Sequence, residues 1–277
     1  MTSPAAPIAQ PLRDLDAWVR HFCAAEIPVL AETAETLQAL AANEDAVDAH
    51  LLAETINGDP LMTLRLLAHV STHARRMTDV ETVTSALVLL GISPFFRAFS
   101  SLATMEERLQ DQPDALQGLQ AVLTRAHRGA NFALGFAVHR MDHDAPVIHE
   151  AALLHDFAEM LLWCHAPVLA TEIARRQRAD ASLRSAVVQR EVLGIELADL
   201  QQALMKAWRL PELLIQLGDG RHTESPPVRN VLLAVRLARH TARGWDNAAL
   251  PDDLRDVGEL LRLGSEPTLK LLHQIDN

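Results

Sequence analysis

Apolar residues recur every three or four positions along most of this 277-residue chain, and nowhere do they alternate with period two over a useful length. A spacing near 3.6 lines up one face of a helix, whereas a half-buried strand needs strict alternation. The pattern therefore predicts an all-α protein. Tyrosine is absent and glycine is scarce. Hydrophobic residues make up 49% of the chain, enough for a substantial core. No apolar run approaches the roughly 18 residues of a membrane span. The opening MTSPAAPIAQ lacks a basic segment followed by an apolar one, so a frayed leader is expected rather than a signal peptide.

The formal net charge of −11 argues against a general electrostatic grip on nucleic acid. Between His21 and Leu64 there are eight acidic residues and no lysine or arginine, so a partner for that region should be basic or apolar. Cys23 and Cys164, the only cysteines, both lie in apolar settings and are expected to be reduced, buried thiols of a cytoplasmic protein.

Helices are expected over residues 14–25, 29–42 and 48–56, the last closed by Gly58. In GDPLMTLRLLAHV, Asp59 can cap free backbone amides and Pro60 suits the first helical position. After a link around 77–80, TVTSALVLLGIS reads as a helix closed by Gly91, and residues 94–108 as another. The polar stretch EERLQDQPDALQG around Pro113 is the expected boundary between two helical lobes. Further helical runs follow at 116–141, 146–162, 166–178, 182–193, 196–207, 211–217, 226–243 and 251–262, with GDGRHTESPPVRN as a loop and a last short helix in the tail.

Taken in order, several fragments resemble the HDOD family, the HD-related output domains of bacterial signalling proteins. They are LLAETINGDPLMTLRLLAHVST, TVTSALVLLG, RAHRGANFALGFA, EAALLHDFAEMLL, REVLGIELADLQQALMKAWRLPE and the loop ending in His222, together covering about residues 25–222. The resemblance implies a helical N-terminal lobe packed on an HD-like helical lobe. On this reading residues 1–24 are a leader and first helix, 25–112 the N-terminal lobe, 113–222 the HD-like lobe, and 223–277 a C-terminal helical extension. It also implies descent from metal-dependent phosphohydrolases, usually without their activity.

An HD hydrolase needs histidines and carboxylates clustered from several helices around a divalent ion, which acidifies bound water and stabilises charge on phosphate oxygens. By resemblance the candidate metal ligands are His127, His155 and Asp156. The family's last aspartate should fall in NVLLAVRLARH, where Arg239 stands; a guanidinium there repels a cation. Ala158 and Glu159 replace a common glycine and basic residue, and Leu197 stands where many relatives put a histidine. Three ligands leave room for weak iron, manganese or zinc binding, or for another ligand. The plainer alternative is a vestigial, structural polar cluster in which Asp156 orients His127, and Glu159, one helical turn after His155, offers a second acceptor.

Other features carry less. His139 and His143 are four apart at a helix end beside Asp142 and Asp144, a pattern more often solvated than metal-bound. HARRM is a small basic patch in a hinge-like segment. Of Trp18, Trp163, Trp208 and Trp245, three sit among helical apolar residues and read as core anchors. The expected function is a non-catalytic bacterial signal-transduction module acting through protein–protein contacts. It is expected to stand alone, without cofactor, nucleic acid or membrane, its partners being signalling proteins and its oligomeric state open. The alternatives are a metal-dependent phosphohydrolase or phosphodiesterase on a nucleotide or cyclic dinucleotide, with Arg125, Arg128 and Arg221 as phosphate-binding cations, and a nucleotide-binding sensor without hydrolysis.

Overall fold

The computed structural model describes residues 6–73, 80–180, 182–220 and 224–276. They form α1 (Leu15–Ala24), α2 (Ala31–Ala41), a 3-10 turn (Glu44–Ala46), α3 (Ala49–Asn57), α4 (Pro60–His73), α5 (Val83–Leu90), α6 (Ile92–Ala98), α7 (Met105–Arg108) and α8 (Pro113–Arg140). Then come α9 (Ala145–Leu153), α10 (Phe157–His165), α11 (Pro167–Ala179), α12 (Ser185–Leu193), α13 (Leu197–Ala207), α14 (Glu212–Leu217), α15 (Pro226–His240), α16 (Leu250–Leu261) and α17 (Ser265–Asp276). No strand occurs among the described residues; the fold class is all-α, as the spacing predicts. Among the described residues an isolated bridge pairs Val29 with Thr104.

The chain divides into two compact units that do not follow chain order. Unit 1 takes residues up to Val122 together with Asp156–Leu210, and unit 2 takes Leu123–His155 and Pro211 onward. Pro113 does not sit in a linker. It opens α8, where its missing N–H costs nothing, and α8 runs from unit 1 into unit 2.

Unit 1 is built around α4 and α10, helices buried on nearly every side. Such all-round burial requires neighbours on all faces, and α10 packs against α4, α11 and α13 while α13 packs against α1. Asp59 starts α4 as its sequence suggests: one carboxylate oxygen accepts from the Leu61 and Met62 amides at 3.0 Å, the other from Leu30 at 2.7 Å. Burial raises its pKa while those donors pull the other way. The extended stretch before α2 is held through Val29, whose amide donates to Ala103 at 2.9 Å and whose carbonyl accepts from Met105 at 2.8 Å. That pairing explains why residues 94–108 are not one helix. The chain leaves α6 at Phe99, runs extended beside Val29, and restarts at Thr104, whose hydroxyl caps α7 through the Glu107 amide. Gly118 on α8 lies so close to Trp163 that a Cβ would fall 2.4 Å from the indole. Gly194 ends α12 in the left-handed region at φ 75°, where glycine pays least.

Two expectations need correction in unit 1. Cys23 is exposed, not buried: α1 turns Trp18 and Phe22 inward, and Cys23 follows Phe22 by about 100° around the helix. Cys164 is buried. The leader is anchored at Ile8, whose amide donates to the His165 carbonyl at 2.8 Å; residues 1–5 lie outside the described ones, as do Ala74 to Asp79 and with them most of HARRM.

Unit 2 packs α9 against α14 and α15, α15 against α16, and α16 against α17. Its core includes Phe132, Phe136, Ile148, Val231, Leu237, Val257 and Leu272. Arg128 on α8 clamps the C-terminal helix, donating to both Asp276 carboxylate oxygens at 2.8 Å and to the Thr241 carbonyl and hydroxyl at 3.0 Å. α8 ends with Met141 in the left-handed region, and the Asp142 amide reaches back to the Ala137 carbonyl at 2.9 Å.

Candidate functional site

The doublet His155–Asp156 does not lie within a helix. The expected helix 146–162 breaks into α9 and α10, with Leu154, His155 and Asp156 forming the turn between them. The apolar spacing runs through both helices, so it hides the break. Backbone geometry reveals it: the Leu154 amide still reaches Glu150, the His155 amide turns tightly back to Ala152, and the Asp156 carbonyl starts α10 by accepting from Glu159 and Met160. His155 and Glu159 therefore do not share one helix face, which removes the stated basis for Glu159 as a second acceptor. His155 is half-buried and Asp156 buried. They also fall on opposite sides of the unit boundary, His155 closing a segment of unit 2 and Asp156 opening one of unit 1.

His127 lies half-buried on α8 in unit 2. Within the same unit α9 brings His149 into its electrostatic reach: burial lowers the His149 pKa, and the His127 charge lowers it further. Glu150, next to the half-buried His149, is buried. The sequence reasoning missed both residues. The available signal was His149, immediately before the Glu150 that opens the EAALLHDFAEMLL fragment, on the same apolar helix that leads into the doublet. His127, His155, Asp156 and Glu159 each take part in polar, ring or electrostatic interactions.

The remaining candidates are placed as follows. Arg239 is exposed on α15, and Leu197 is buried at the first turn of α13 in unit 1. Arg128 is committed to Asp276 and Thr241 rather than free to meet a phosphate. Arg221 and His222 lie outside the described residues. His139 and His143 are both exposed, and the helix ends between them at Arg140, so they do not present one helical face. Among the described residues, no three His, Cys, Asp or Glu side chains gather into a group that could hold a metal ion.

The most strongly shifted groups belong to unit 1. Arg108 on α7 donates its Nε to the Cys164 carbonyl at 2.7 Å and an amino group to His165 Nδ1 at 3.0 Å. Burial, then the Arg108 charge, pushes the His165 imidazole down to about 3, and burial lifts the Cys164 thiol to about 12. Neither shift suits catalysis at neutral pH. A thiol held protonated is a poor nucleophile, and an imidazole that takes no proton cannot act as an acid. This cluster joins α7 to the end of α10.

The family model of the HDOD domain matches residues 27–223. The chain belongs to the HDOD domain family. The matched span contains His127, His149 and the doublet and stops before α15, so Arg239 lies beyond it. No curated protein matches the chain. Among solved structures, the HDOD chain is similar to the MmoQ response regulator from Methylococcus capsulatus Bath, at 21% identity and a TM-score of 0.64, covering 89% of this chain and 98% of that one. It is also similar to a virulence factor from Campylobacter jejuni, at 16% identity and a TM-score of 0.63, covering 94% and 97%. At these identities the likeness is one of fold. No helix among the described residues of this HDOD protein is long and apolar enough to cross a membrane.

Proposed function

We propose that this HDOD protein is a non-catalytic signal-transduction module that acts through protein–protein contacts in the cytoplasm, its HD site retained as structure. The observation that carries the reading is that no three described His, Cys, Asp or Glu side chains gather into a group that could hold a metal ion. A catalytic divalent centre takes three or more nitrogen and oxygen ligands converging on one point; the described donors do not fit that demand. His155 and Asp156 shape a turn between two helices, and Arg128 is spent on the C-terminal helix. His127, His155 and Asp156 are then vestigial ligands. The name of one fold relative, a response regulator, supports a regulatory setting.

The test is elemental analysis of protein purified without a chelator or metal-affinity tag, joined to hydrolysis assays on bis(p-nitrophenyl) phosphate and cyclic dinucleotides. The expected result is less than about a tenth of an equivalent of iron, manganese or zinc per chain, unchanged after metal is added and excess removed, and no hydrolysis. About one equivalent that disappears in His155→Ala, with turnover, would overturn the proposal.

A further inference from the structure

α5 leaves large apolar side chains exposed. Its last five residues, Ala86 to Leu90, are all apolar, and five consecutive helical positions cover more than a full turn. Ala86 and Leu87 turn inward with Val83. Val88 is left 70% exposed and Leu89 48% exposed, and Leu51 on α3, the helix packed against α5, is 39% exposed. A helix apolar around most of its circumference is normally covered on those sides.

The charges around this face say what could cover it. The 3-10 turn before α3 touches the start of α6 through a hydrogen bond from the Ser93 hydroxyl to Glu44, which brings acidic residues to the C-terminal end of α5. Asp45 on the same turn, Asp48 at the α3 N-cap and Glu54 on α3, 3.4 Å from His50, are exposed, while α6 contributes the exposed Arg97. No lysine or arginine lies between His21 and Leu64 to offset them. An acidic rim repels nucleic acid and anionic lipid surfaces, and a second copy of this chain would bring the same acidic rim against it.

We propose that the α3–α5 face is the docking surface for a basic amphipathic helix of a partner protein, which sets apolar side chains on Val88 and Leu89 and lysines or arginines against the Glu44–Glu54 carboxylates. The pairing uses apolar anchors for affinity and complementary charge for orientation and rate. It names a partner chemistry for the protein-contact function proposed above and rests on that reading only for its setting.

The test uses the whole protein and a probe helix of about 18 residues with leucines at i, i+3, i+4 and i+7 and lysines elsewhere. Binding is followed by anisotropy and located by amide hydrogen exchange. The expected result is protection of residues 83–93, binding weakened at least about tenfold in Val88→Ser/Leu89→Ser, weakened again from about 0.05 to 0.5 M salt, and absent when glutamates replace the lysines. Both positions are exposed, so the variant should keep its melting temperature. Equal binding of the acidic helix, an unaffected variant, protection elsewhere, or a homodimer broken by the double substitution would each overturn the docking proposal. Metal analysis and hydrolysis report on the non-catalytic reading separately, so either can fall alone.

Discussion

His165 in unit 1 and His149 in unit 2 both belong to apolar helices, and burial lowers the pKa of both, yet their neighbours differ in kind. His165 is 2% exposed and faces Arg108, a permanent cation that donates into Nδ1. His149 is half-buried, and the neighbouring charge that depresses it comes from His127, a second histidine. Burial is the larger cause in each case, and the neighbouring charge adds to it in the same direction. The HDOD chain thus keeps one histidine as an acceptor for a fixed cation in its core and another beside a second histidine.

The sharpest way to test that contrast is acid. An unfolded His165 takes up a proton below about pH 6.5, whereas the folded ring resists until about 3. Acid therefore favours the unfolded chain. The stability contributed by the neutral ring is complete above the unfolded pKa and is lost as pH falls from about 6.5 toward 3, on the order of 3 kcal/mol by pH 4. Denaturant titrations of wild type and His165→Gln between pH 7 and 4 should show a shallower pH dependence in the variant. Parallel curves would mean the ring is not held neutral.

Arg108→Met should cost somewhat less at neutral pH, about 2 kcal/mol, because it leaves the Cys164 carbonyl and His165 Nδ1 without their donor. It should also flatten the acid dependence, since the arginine charge is one reason the imidazole stays neutral. A variant that loses stability yet keeps the wild-type pH slope would show that burial alone sets the ring. The matching cut in unit 2 is Arg128→Leu, which removes the clamp on Asp276 and Thr241. A loss of about 1–2 kcal/mol is expected, with faster amide exchange in residues 265–276 than in α4. Uniform acceleration across both units would contradict a local clamp.

What the sequence disclosed, and what it hid, follows the same division between local and distant causes. Helical class and the α4 start were legible because both depend on near neighbours: spacing sets one, and Asp59–Pro60 sets the other. The role of Arg128 was not, because its partner Asp276 is 148 positions away; on the sequence it reads equally well as a phosphate ligand. Arg108 and His165 are 57 apart and hid for the same reason. The turn at residues 154–156 escaped differently. Leu153 and Leu154 continue the apolar spacing into Phe157, and nothing in the composition there breaks a helix, so the doublet was set on a continuous helix. The exposure of Cys23 is hidden because apolar neighbours on both sides of a residue do not fix which way it faces on an amphipathic helix.

The smallest expected effect probes the unit 2 side of the contrast. If the His127 charge contributes to holding His149 down, then His127→Gln should raise the His149 pKa, observed by NMR titration of ring protons, while leaving stability within about 0.5 kcal/mol. The rise should be incomplete: burial, the larger cause, remains, so His149 should still titrate below an ordinary histidine. An unmoved His149 would separate the two rings electrostatically and leave burial as the whole account. A full return to the ordinary value would show the reverse, that the α9 environment desolvates the ring less than its position implies. Only the partial rise keeps both causes, burial and the His127 charge, acting on the one ring.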